Sequence, residues 1–210
     1  MIHVAIDSSL GNSLALRTPD FTTSLPNLDF GRDNDRNFLP CLRDFLRQNR
    51  LDVQDVEAWT VGTGPGSFAG IRFTLALVKG ICTATHAKCR GIPSGYALAR
   101  AWGREGRVGI VADARCGKAF VTVFEAKNGV FRPVGDPLLV ESQTTWPPEL
   151  TCDAYCSANA GFEEHLPANV REHFSFLPPP DAQWLLQADE TIWPWRQDSN
   201  IEPLYVRPPA

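Results

Sequence analysis

The stretch 57–93 constrains the fold of this 210-residue chain more than any other part of the sequence. A short apolar run, 58–61, predicts a buried strand, and a turn rich in glycine follows it. The apolar segment 68–87 is too long for a strand and contains no proline, so it predicts a helix with Ser67 as N-cap. With a further strand over 89–92, the stretch is typical of an α/β fold.

The glycine turn has two interpretations, and the sequence leaves both open. A glycine-rich turn at a helix N-terminus presents free N–H groups to an anion, which makes Gly64, Gly66 and Ser67 candidate anion or nucleotide contacts. However, Phe68 stands where a phosphate-binding loop continues, and the glycine spacing of a dinucleotide fingerprint is absent. The alternative is a tight turn whose glycines permit close packing of helix and strand.

The long helix is apolar on nearly all sides. Five larger side chains form one apolar face and three form a second, with small residues between them: Phe68, Ile71, Leu75, Val78 and Cys82, then Phe73, Leu77 and Ile81. Such a helix must be covered on more than one side. We expect the sheet on one side, and a neighbouring helix or another protein chain on the other.

Composition limits the classes of function. The net charge is −4 and basic residues form no long run, so the chain has no surface of its own that would follow a phosphate backbone. The start of the sequence predicts no signal peptide, and we expect no run of membrane-spanning length. The six cysteines predict reduced thiols that fill the core. Together these features favour a cytoplasmic protein without membrane contact.

The chain begins with three predicted strands, over 2–6, 13–17 and 21–25, joined by short turns. An amphipathic helix follows within 35–49, with its apolar side at Phe38, Leu42, Phe45 and Leu46. We place Pro40 near the first turn of this helix, because deeper in the helix it would interrupt the hydrogen bonds.

The pattern of the first residues occurs twice. A strand that ends in aspartate, followed by a turn and a second strand, is found over 2–17 and again over 108–124. This repeat predicts two similar halves, 1–104 and 105–210, that face each other across a cleft. A nucleotide in that cleft would contact Asp7 and Ser8 at the end of the first strand of one half, and Asp113 at the corresponding place in the other half. The alternative is that each aspartate caps its own turn.

The remainder carries fewer signals. We expect a strand within 129–140 and a short helix over 182–188. The aromatic residues of the proline-rich tail, Trp193, Trp195 and Tyr205, should pack against the body. Cys152 and Cys156 with the nearby histidines make a poor zinc site, and we predict no bound metal.

Several of these residues carry a family resemblance. The segment Val61-Gly62-Thr63-Gly64-Pro65-Gly66-Ser67-Phe68-Ala69-Gly70-Ile71-Arg72 resembles the signature of the TsaB (YeaZ-like) family. Asp7-Ser8-Ser9, Asp113-Ala114-Arg115 with Gly117, and Pro203-x-Tyr205-x-Arg207 fall where that family has its other motifs. The match is strong over about 1–125, faint to 200, and returns at the tail.

The resemblance implies an α/β protein with an actin/Hsp70-like (ASKHA) fold of two ribonuclease-H-like halves, the second reduced. It also implies a role in making N6-threonylcarbamoyladenosine at position 37 of tRNAs that read codons beginning with A. Its partners would be a catalytic paralogue, TsaD, and an ATPase, TsaE, with a homodimer when it is alone. Contact with tRNA would come only through the complex.

The resemblance further implies a scaffold without catalytic residues or a cofactor of its own, with ATP or ADP as a candidate ligand at the partner interface. The catalytic paralogue holds its metal with two histidines four residues apart, and no such pair occurs here. Family members often carry His-Ser-Glu where this chain has Asn34-Asp35-Arg36. The resemblance therefore implies no partner contact through the side chains at 34–36.

The partner interface implied by the resemblance is a four-helix bundle built from the helices 35–49 and 68–87 and their equivalents. We predict a patch of eight residues: Phe38, Leu42, Phe45, Phe68, Ile71, Arg72, Leu75 and Lys79. The sequence does not separate the side chains that face the sheet from those that face outward.

Two other classes of function compete with the scaffold. One is a nucleotide-dependent kinase or ATPase of the same fold, which would use Asp7 and Asp113 on a magnesium nucleotide. The other is a peptidase. Neither His-Glu-x-x-His nor Gly-x-Ser-x-Gly occurs in the chain, which disfavours the peptidase.

Overall fold

The first half of the chain folds around a five-stranded mixed sheet. The computed structural model describes residues 1–30, 34–197 and 200–204. The strands of this sheet are β1 (His3–Asp7), β2 (Asn12–Arg17), β3 (Thr22–Leu28), β4 (Ala58–Gly62) and β5 (Lys88–Ile92). Their spatial order is β3-β2-β1-β4-β5, with β1 to β3 antiparallel and β4 and β5 parallel to β1.

Three helices belong to this half: α1 (Asn34–Gln48), α2 (Phe68–Thr85) and α3 (Gly95–Trp102). α1 and α2 lie on the same face of the sheet, since both contribute to one core with β1, β2 and β4. α3 lies on the other face and packs against the second sheet. The predicted strand, glycine turn and long helix are therefore confirmed.

The second half repeats the connectivity of the first. Its strands are β6 (Gly106–Arg115), β7 (Lys118–Lys127), β8 (Val130–Pro133), β9 (Leu138–Glu141), β10 (Ala154–Ser157) and β11 (Phe174–Phe176). The order is β11-β10-β6-β7-β8, with β9 beside the other end of β7. As in the first sheet, a hairpin leads to a third antiparallel strand, and two later strands add in parallel beside the first strand. The predicted internal repeat is confirmed.

The helical part of the second half is small. Between its strands lie one short helix, α4 (Ala168–Arg171), and two 3-10 helices, Pro148–Leu150 and Phe162–His165. They cover the face of the second sheet that lies opposite α3, where Trp146, Leu166 and Val170 join a core with β6 and β7. The long helix of the first half thus has only short counterparts here, as the expectation of a reduced second half implies.

The segment that follows β11 returns to the first sheet. We name residues 181–197 and 200–204 the C-terminal strap. It opens with a 3-10 helix, Ala182–Gln187, in the core between the two sheets. Farther on, Arg196 pairs with Cys89 at the edge of β5, and the Leu204 N–H donates to Thr63 O over 2.9 Å. The boundary predicted at 104/105 lies between the two sheets. The strap follows this boundary in the sequence, yet it packs on the first half.

Three local expectations differ from the structure. α1 begins at Asn34, so Pro40 lies in its second turn, not near its first. The third strand extends to Leu28 and includes Pro26, which an edge strand tolerates because one row of its N–H groups is unpaired. Among the described residues, α2 is long and apolar enough to cross a membrane, contrary to expectation, although a third of it is buried inside the fold.

The cysteines are free thiols. Cys82, Cys89 and Cys156 are buried and fill the core, as predicted, whereas Cys116 is exposed in the turn between β6 and β7. Trp193 lies edge-on to Tyr96 and Trp195 stacks on Arg90, so both pack against the body as predicted. Tyr205, predicted to do the same, lies outside the described residues.

Candidate functional site

The glycine turn packs directly on the loop that follows β1. The Ser67 N–H donates to Ser9 O over 2.7 Å, and Ser67 Oγ accepts from the Gly70 N–H over 3.3 Å. Gly66 has a φ of 155°, and a Cβ at this position would lie 2.3 Å from Ser9 O. Glycine is therefore required by close backbone approach. The predicted N-cap is confirmed, and the turn has the packing role proposed for it.

Asp7 lies at the end of β1, beneath this turn, and is buried. Its Oδ1 accepts from the Ser9 N–H over 2.8 Å and from Ser9 Oγ over 2.5 Å. Its Oδ2 has no partner in hydrogen-bond geometry and faces the Gly62 backbone and Ser94 Oγ. Burial raises the pKa of this carboxyl group, and the bonds from Ser9 offset part of that effect. Asp7 thus serves the turn, as the structural alternative predicted.

Ser8, the other predicted contact in this loop, is buried too. Its Oγ has no hydrogen-bond partner, and its main chain is so close to α2 that a Cβ on Gly70 would lie 2.2 Å from Ser8 O. The lack of a side chain at Gly70 therefore allows α2 to approach this loop so closely.

A cleft of about 580 Å³ lies between the glycine turn and the turn after β6. Its lining includes three predicted anion or nucleotide contacts, Gly66, Ser67 and Asp113. The other lining residues were not predicted to contact an anion or nucleotide: Ser9, Leu10, Phe68, Ala114, Arg115, Phe120 and Asn159. Of the two predicted aspartates, only Asp113 lines this cleft. Gly64 is buried behind it.

Asp113 is engaged by its own turn. Its carboxylate accepts from the Arg115 N–H over 2.7 Å and forms an ion pair with the Arg115 guanidinium at 3.1 Å. Its own N–H donates to Asn159 Oδ1 over 3.0 Å. Asn159 follows β10, the strand that corresponds to β4, so the strand order of the repeat could have indicated it. Within the described residues, no three His, Cys, Asp or Glu side chains form a cluster that could hold a metal.

The predicted patch on the helix pair is wrong for five of its eight residues. Phe38, Leu42 and Phe45 on α1 and Ile71 and Leu75 on α2 are buried in the core with the first sheet. Ile71, Leu75 and Val78 of α2 belong to the core with the first sheet, whereas Ala76 and Gly80 face outward. Leu75 is therefore unsuited as a site for testing an interface.

The outward side of the two helices has a different composition. We name it the outer face and define it by a set of exposed residues: Arg36, Leu39, Arg43 and Arg47 on α1, and Phe68, Ala69, Arg72, Ala76, Gly80, Thr83 and Ala84 on α2. Phe68 is 61% exposed, and the Arg72 guanidinium stacks on its ring at 3.9 Å. Lys79 is half-buried at the margin of this face.

Phe73, Leu77 and Ile81 are half-buried and pack against the core that α1 and α2 share with the first sheet. The rings of Phe73 and Phe38 meet edge to face, with centroids 5.7 Å apart. The second apolar face of α2, predicted to need a neighbouring helix or another chain, is therefore covered in part by α1.

A notch of about 140 Å³ lies at the N-terminal end of α2, between Phe68, Ile71, Phe120 and Leu204. Pro203 of the tail motif lines it as well, which places the end of the strap beside the outer face. Tyr205 and Arg207 of that motif lie outside the described residues, as do Arg32, Asp33 and the side chains of Asn34 and Asp35.

The repeated sheet connectivity, with a glycine turn and a long helix in the first half and a reduced second half, defines a protein of the actin/Hsp70-like class. A sequence model of the family described as "TsaD: tRNA N6-adenosine threonylcarbamoyltransferase" matches residues 29–179. This is more than half of the chain, and the chain belongs to that family.

Curated relatives carry a different name. Over 104 residues the chain is 27% identical to "tRNA threonylcarbamoyladenosine biosynthesis protein TsaB" of Escherichia coli, covering 48% of this chain and 45% of that protein. Over 98 residues it is 29% identical to the protein of the same name from Bacillus subtilis, covering 46% and 42%. The chain thus spans less than half the length of the relatives it matches. The resemblance to the TsaB (YeaZ-like) family is confirmed.

Two solved structures from Pseudomonas aeruginosa share the fold. One, described as an uncharacterized protein with similarity to peptidase YEAZ, is 23% identical, covers 98% of this chain and 99% of its own, and has a TM-score of 0.77. The other, YeaZ, is 24% identical, covers 88% of both chains and has a TM-score of 0.74. At these identities the likeness establishes the fold.

Proposed function

We propose that this chain is a non-catalytic scaffold subunit of the complex that transfers threonylcarbamoyl to N6 of adenosine 37 in tRNA. Support comes from the names of its relatives, which are threonylcarbamoyladenosine biosynthesis proteins. The tRNAs would be those that read codons beginning with A. The expected partners are the catalytic paralogue TsaD and the ATPase TsaE, with tRNA bound only through the complex and in the cytoplasm.

The outer face of α1 and α2 is the observation that carries this proposal. Only a third of α2 is buried, although its composition is that of a core helix. Its exposed stripe of Ala69, Ala76 and Gly80 would allow another helix to approach closely. Phe68 and Leu39 add large exposed apolar side chains. A continuous apolar surface with a polar margin is typical of a protein interface.

The arrangement of the two aspartates supports the non-catalytic part of the proposal. Asp7 is enclosed beneath the glycine turn, and the Asp113 carboxylate is engaged by Arg115. A pair of carboxylates that shares one reacting group would have to line the same cavity. Here the acids at the strand ends stabilise their own turns, so we assign the chemistry to the paralogue. Any ATP or ADP would be shared with that partner.

A charge in the middle of the outer face tests the proposal. Ala76 is exposed on α2, and Ala76→Glu should leave the isolated chain folded. In a complex the carboxylate would lose its water at the apolar centre of the face, at a cost of about 3 kcal/mol, which lowers affinity for the paralogue by more than about a hundredfold. Binding of the purified paralogue from the same organism, measured by calorimetry, provides the readout.

The matched control is Ala101→Glu, the same change at an exposed position of α3. It should bind the paralogue as the unmodified chain does. If Ala76→Glu and Ala101→Glu bind equally well, the outer face of α2 is not the partner site.

The cleft supports one competing function, a kinase or ATPase of the same fold. It is about 580 Å³ in volume and contains Ser67 at the start of α2 and Asp113 on the opposite side. A nucleotide phosphate at a helix N-terminus would fit such a place. We expect no ATP turnover by the isolated chain, and steady hydrolysis that Asp113→Asn abolishes would favour the enzyme over the scaffold.

A further inference from the structure

Three arginines form a stripe along the outer side of α1. Arg36, Arg43 and Arg47 are separated by seven and four residues, which places them within one narrow sector of a helix. All three are exposed, and the opposite side of α1 carries the buried Phe38 and Phe45. The stripe therefore points away from the first sheet.

The sign of this charge differs from that of the rest of the chain. α1 and α2 together carry five basic residues and two acidic ones, whereas the whole chain has a net charge of −4. Arg43 Nε lies 3.5 Å from Asp44 Oδ1, with both side chains more than half exposed. Such an exposed pair is screened by water and neutralises little of the stripe.

This charge disfavours pairing of two copies through the helices. A two-fold interface places the same patch on both sides, so a basic face would meet a basic face. Like charges that are brought together across an interface oppose binding, and opposite charges favour it and speed encounter. A different protein with acidic side chains on its own helices would complement Arg36, Arg43 and Arg47.

The neighbouring surface favours a protein over RNA. On α2, which packs on the same face of the sheet as α1, the exposed side is small and apolar, with Ala69, Ala76 and Gly80. Apolar centres with charged margins are typical of protein interfaces. Single-stranded RNA is commonly bound by exposed aromatic rings among basic residues, and Phe68 is the one aromatic of the defined outer face.

We propose that the arginine stripe selects an acidic helical surface of a different subunit over a second copy of this chain. This inference rests on the proposed function, because it concerns the same face. It adds the chemistry of the partner and the reason why the heterologous pair should replace a homodimer.

Charge reversal tests the stripe. Arg43→Glu with Arg47→Glu should weaken binding of the purified paralogue at least about thirtyfold at low salt, because two attractive contacts become repulsive. Raising the salt from about 50 to about 300 mM should weaken the unmodified pair about tenfold or more and affect the variant less. The control, Arg104→Glu with Lys127→Glu, reverses two exposed charges that lie outside α1 and α2 and should change affinity less than about threefold.

Self-association gives a second readout. Arg36→Gln, Arg43→Gln and Arg47→Gln together remove the stripe without adding charge, and should tighten any dimer of the isolated chain about tenfold or more. Sedimentation velocity of both proteins over a range of concentrations measures this. If the unmodified chain dimerises as tightly as the triple variant, the stripe does not act against self-pairing and the inference is wrong.

The remaining outcomes separate this inference from the proposed function. If Ala76→Glu abolishes binding but charge reversal and salt have no effect, the face is the partner site and the arginines do not select the partner. If neither change affects binding, the proposed function loses its support as well. If charge reversal instead weakens tRNA binding by the isolated chain and leaves the paralogue bound, the stripe contacts RNA and the inference is overturned.

Discussion

His3 and Arg90 share one hydrogen-bond acceptor inside the first sheet. Thr60 Oγ1 lies 2.8 Å from His3 Nε2 and 3.0 Å from Arg90 Nε. Arg17 Nη2 lies 3.3 Å from His3 Nδ1, and because a guanidinium only donates, Nδ1 must be the acceptor. His3 is therefore neutral with its proton on Nε2. Burial lowers its pKa well below the ordinary value, and the charges of Arg90 and Arg17 lower it further.

This residue makes the stability of the fold depend on pH. The unfolded chain takes up a proton at His3 near its ordinary pKa of 6.5, whereas the folded chain does not. The free energy of unfolding should therefore fall as the pH drops below 6.5, by up to about 1.4 kcal/mol for each pH unit. Urea unfolding at several values between pH 7.5 and 5 measures the slope.

His3→Gln is the control, because it removes the titrating group and retains a polar side chain. The difference between the two slopes isolates His3 from Asp7, whose raised pKa acts in the opposite sense: its burial favours the folded state at low pH. Equal slopes for the unmodified chain and His3→Gln would contradict a neutral, buried His3.

At the scale of the elements, the sequence predicted the glycine turn and α2 but not which side of α2 is exposed. Ser67 caps the helix as expected, because capping depends on residues close in the chain. Which side of the helix faces the sheet depends on residues that are distant in the chain. Leu75 faces the core and Ala76 faces outward, although the two are adjacent in the sequence. A helix that is apolar nearly all round has no polar side to identify its exposed surface. The arginines of α1 show a similar limit, since they are scattered in the sequence and are aligned only by the helix.

Two glycines of α2 provide a test of close packing. A Cβ on Gly70 would lie 2.2 Å from Ser8 O, whereas a Cβ on Gly80 would meet nothing within 4 Å. Gly70→Ala should therefore destabilise the isolated chain by about 1–3 kcal/mol. Gly80→Ala should stabilise it by about 1 kcal/mol, because alanine favours the helix. Urea midpoints measure both, and equal shifts for the two variants would contradict the close approach at Gly70.

At the scale of the whole molecule, the C-terminal strap joins the two halves, and its route was hardly predictable from the sequence. The strap lacks the hydrophobic periodicity of a strand or long helix, and its proline-rich sequence predicted only loops and one short helix. Its position is fixed by contacts to residues far away in the chain, such as Ser13 Oγ, which accepts from the Ala182 N–H over 2.7 Å. The fold of each half was predictable because its strands and helices carry local patterns, whereas the route of the strap depends on these distant partners.

Arg90 on β5 holds the strap to the first sheet. Its guanidinium is buried and donates to the carbonyl oxygens of Ala188 and Trp193, at 3.1 and 3.3 Å. Burial lowers its pKa to about 10, so it remains charged at neutral pH. Methionine would fill a similar volume but leave both carbonyls without a donor.

Arg90→Met should therefore loosen the strap before the rest of the fold. The carbonyls of Ala188, which is buried here, and Trp193, which is partly buried, would lose this donor at a cost of about 2–4 kcal/mol together. In hydrogen exchange, the Arg196 and Leu204 amides, which donate to Cys89 O and Thr63 O, should lose most of their protection, whereas the hairpin of β6 and β7 should lose much less. Arg107→Met is the control, because Arg107 donates to Glu149 O within the second half. Equal loss of protection in the strap and the hairpin would show that Arg90 supports the whole fold and does not hold the strap in particular.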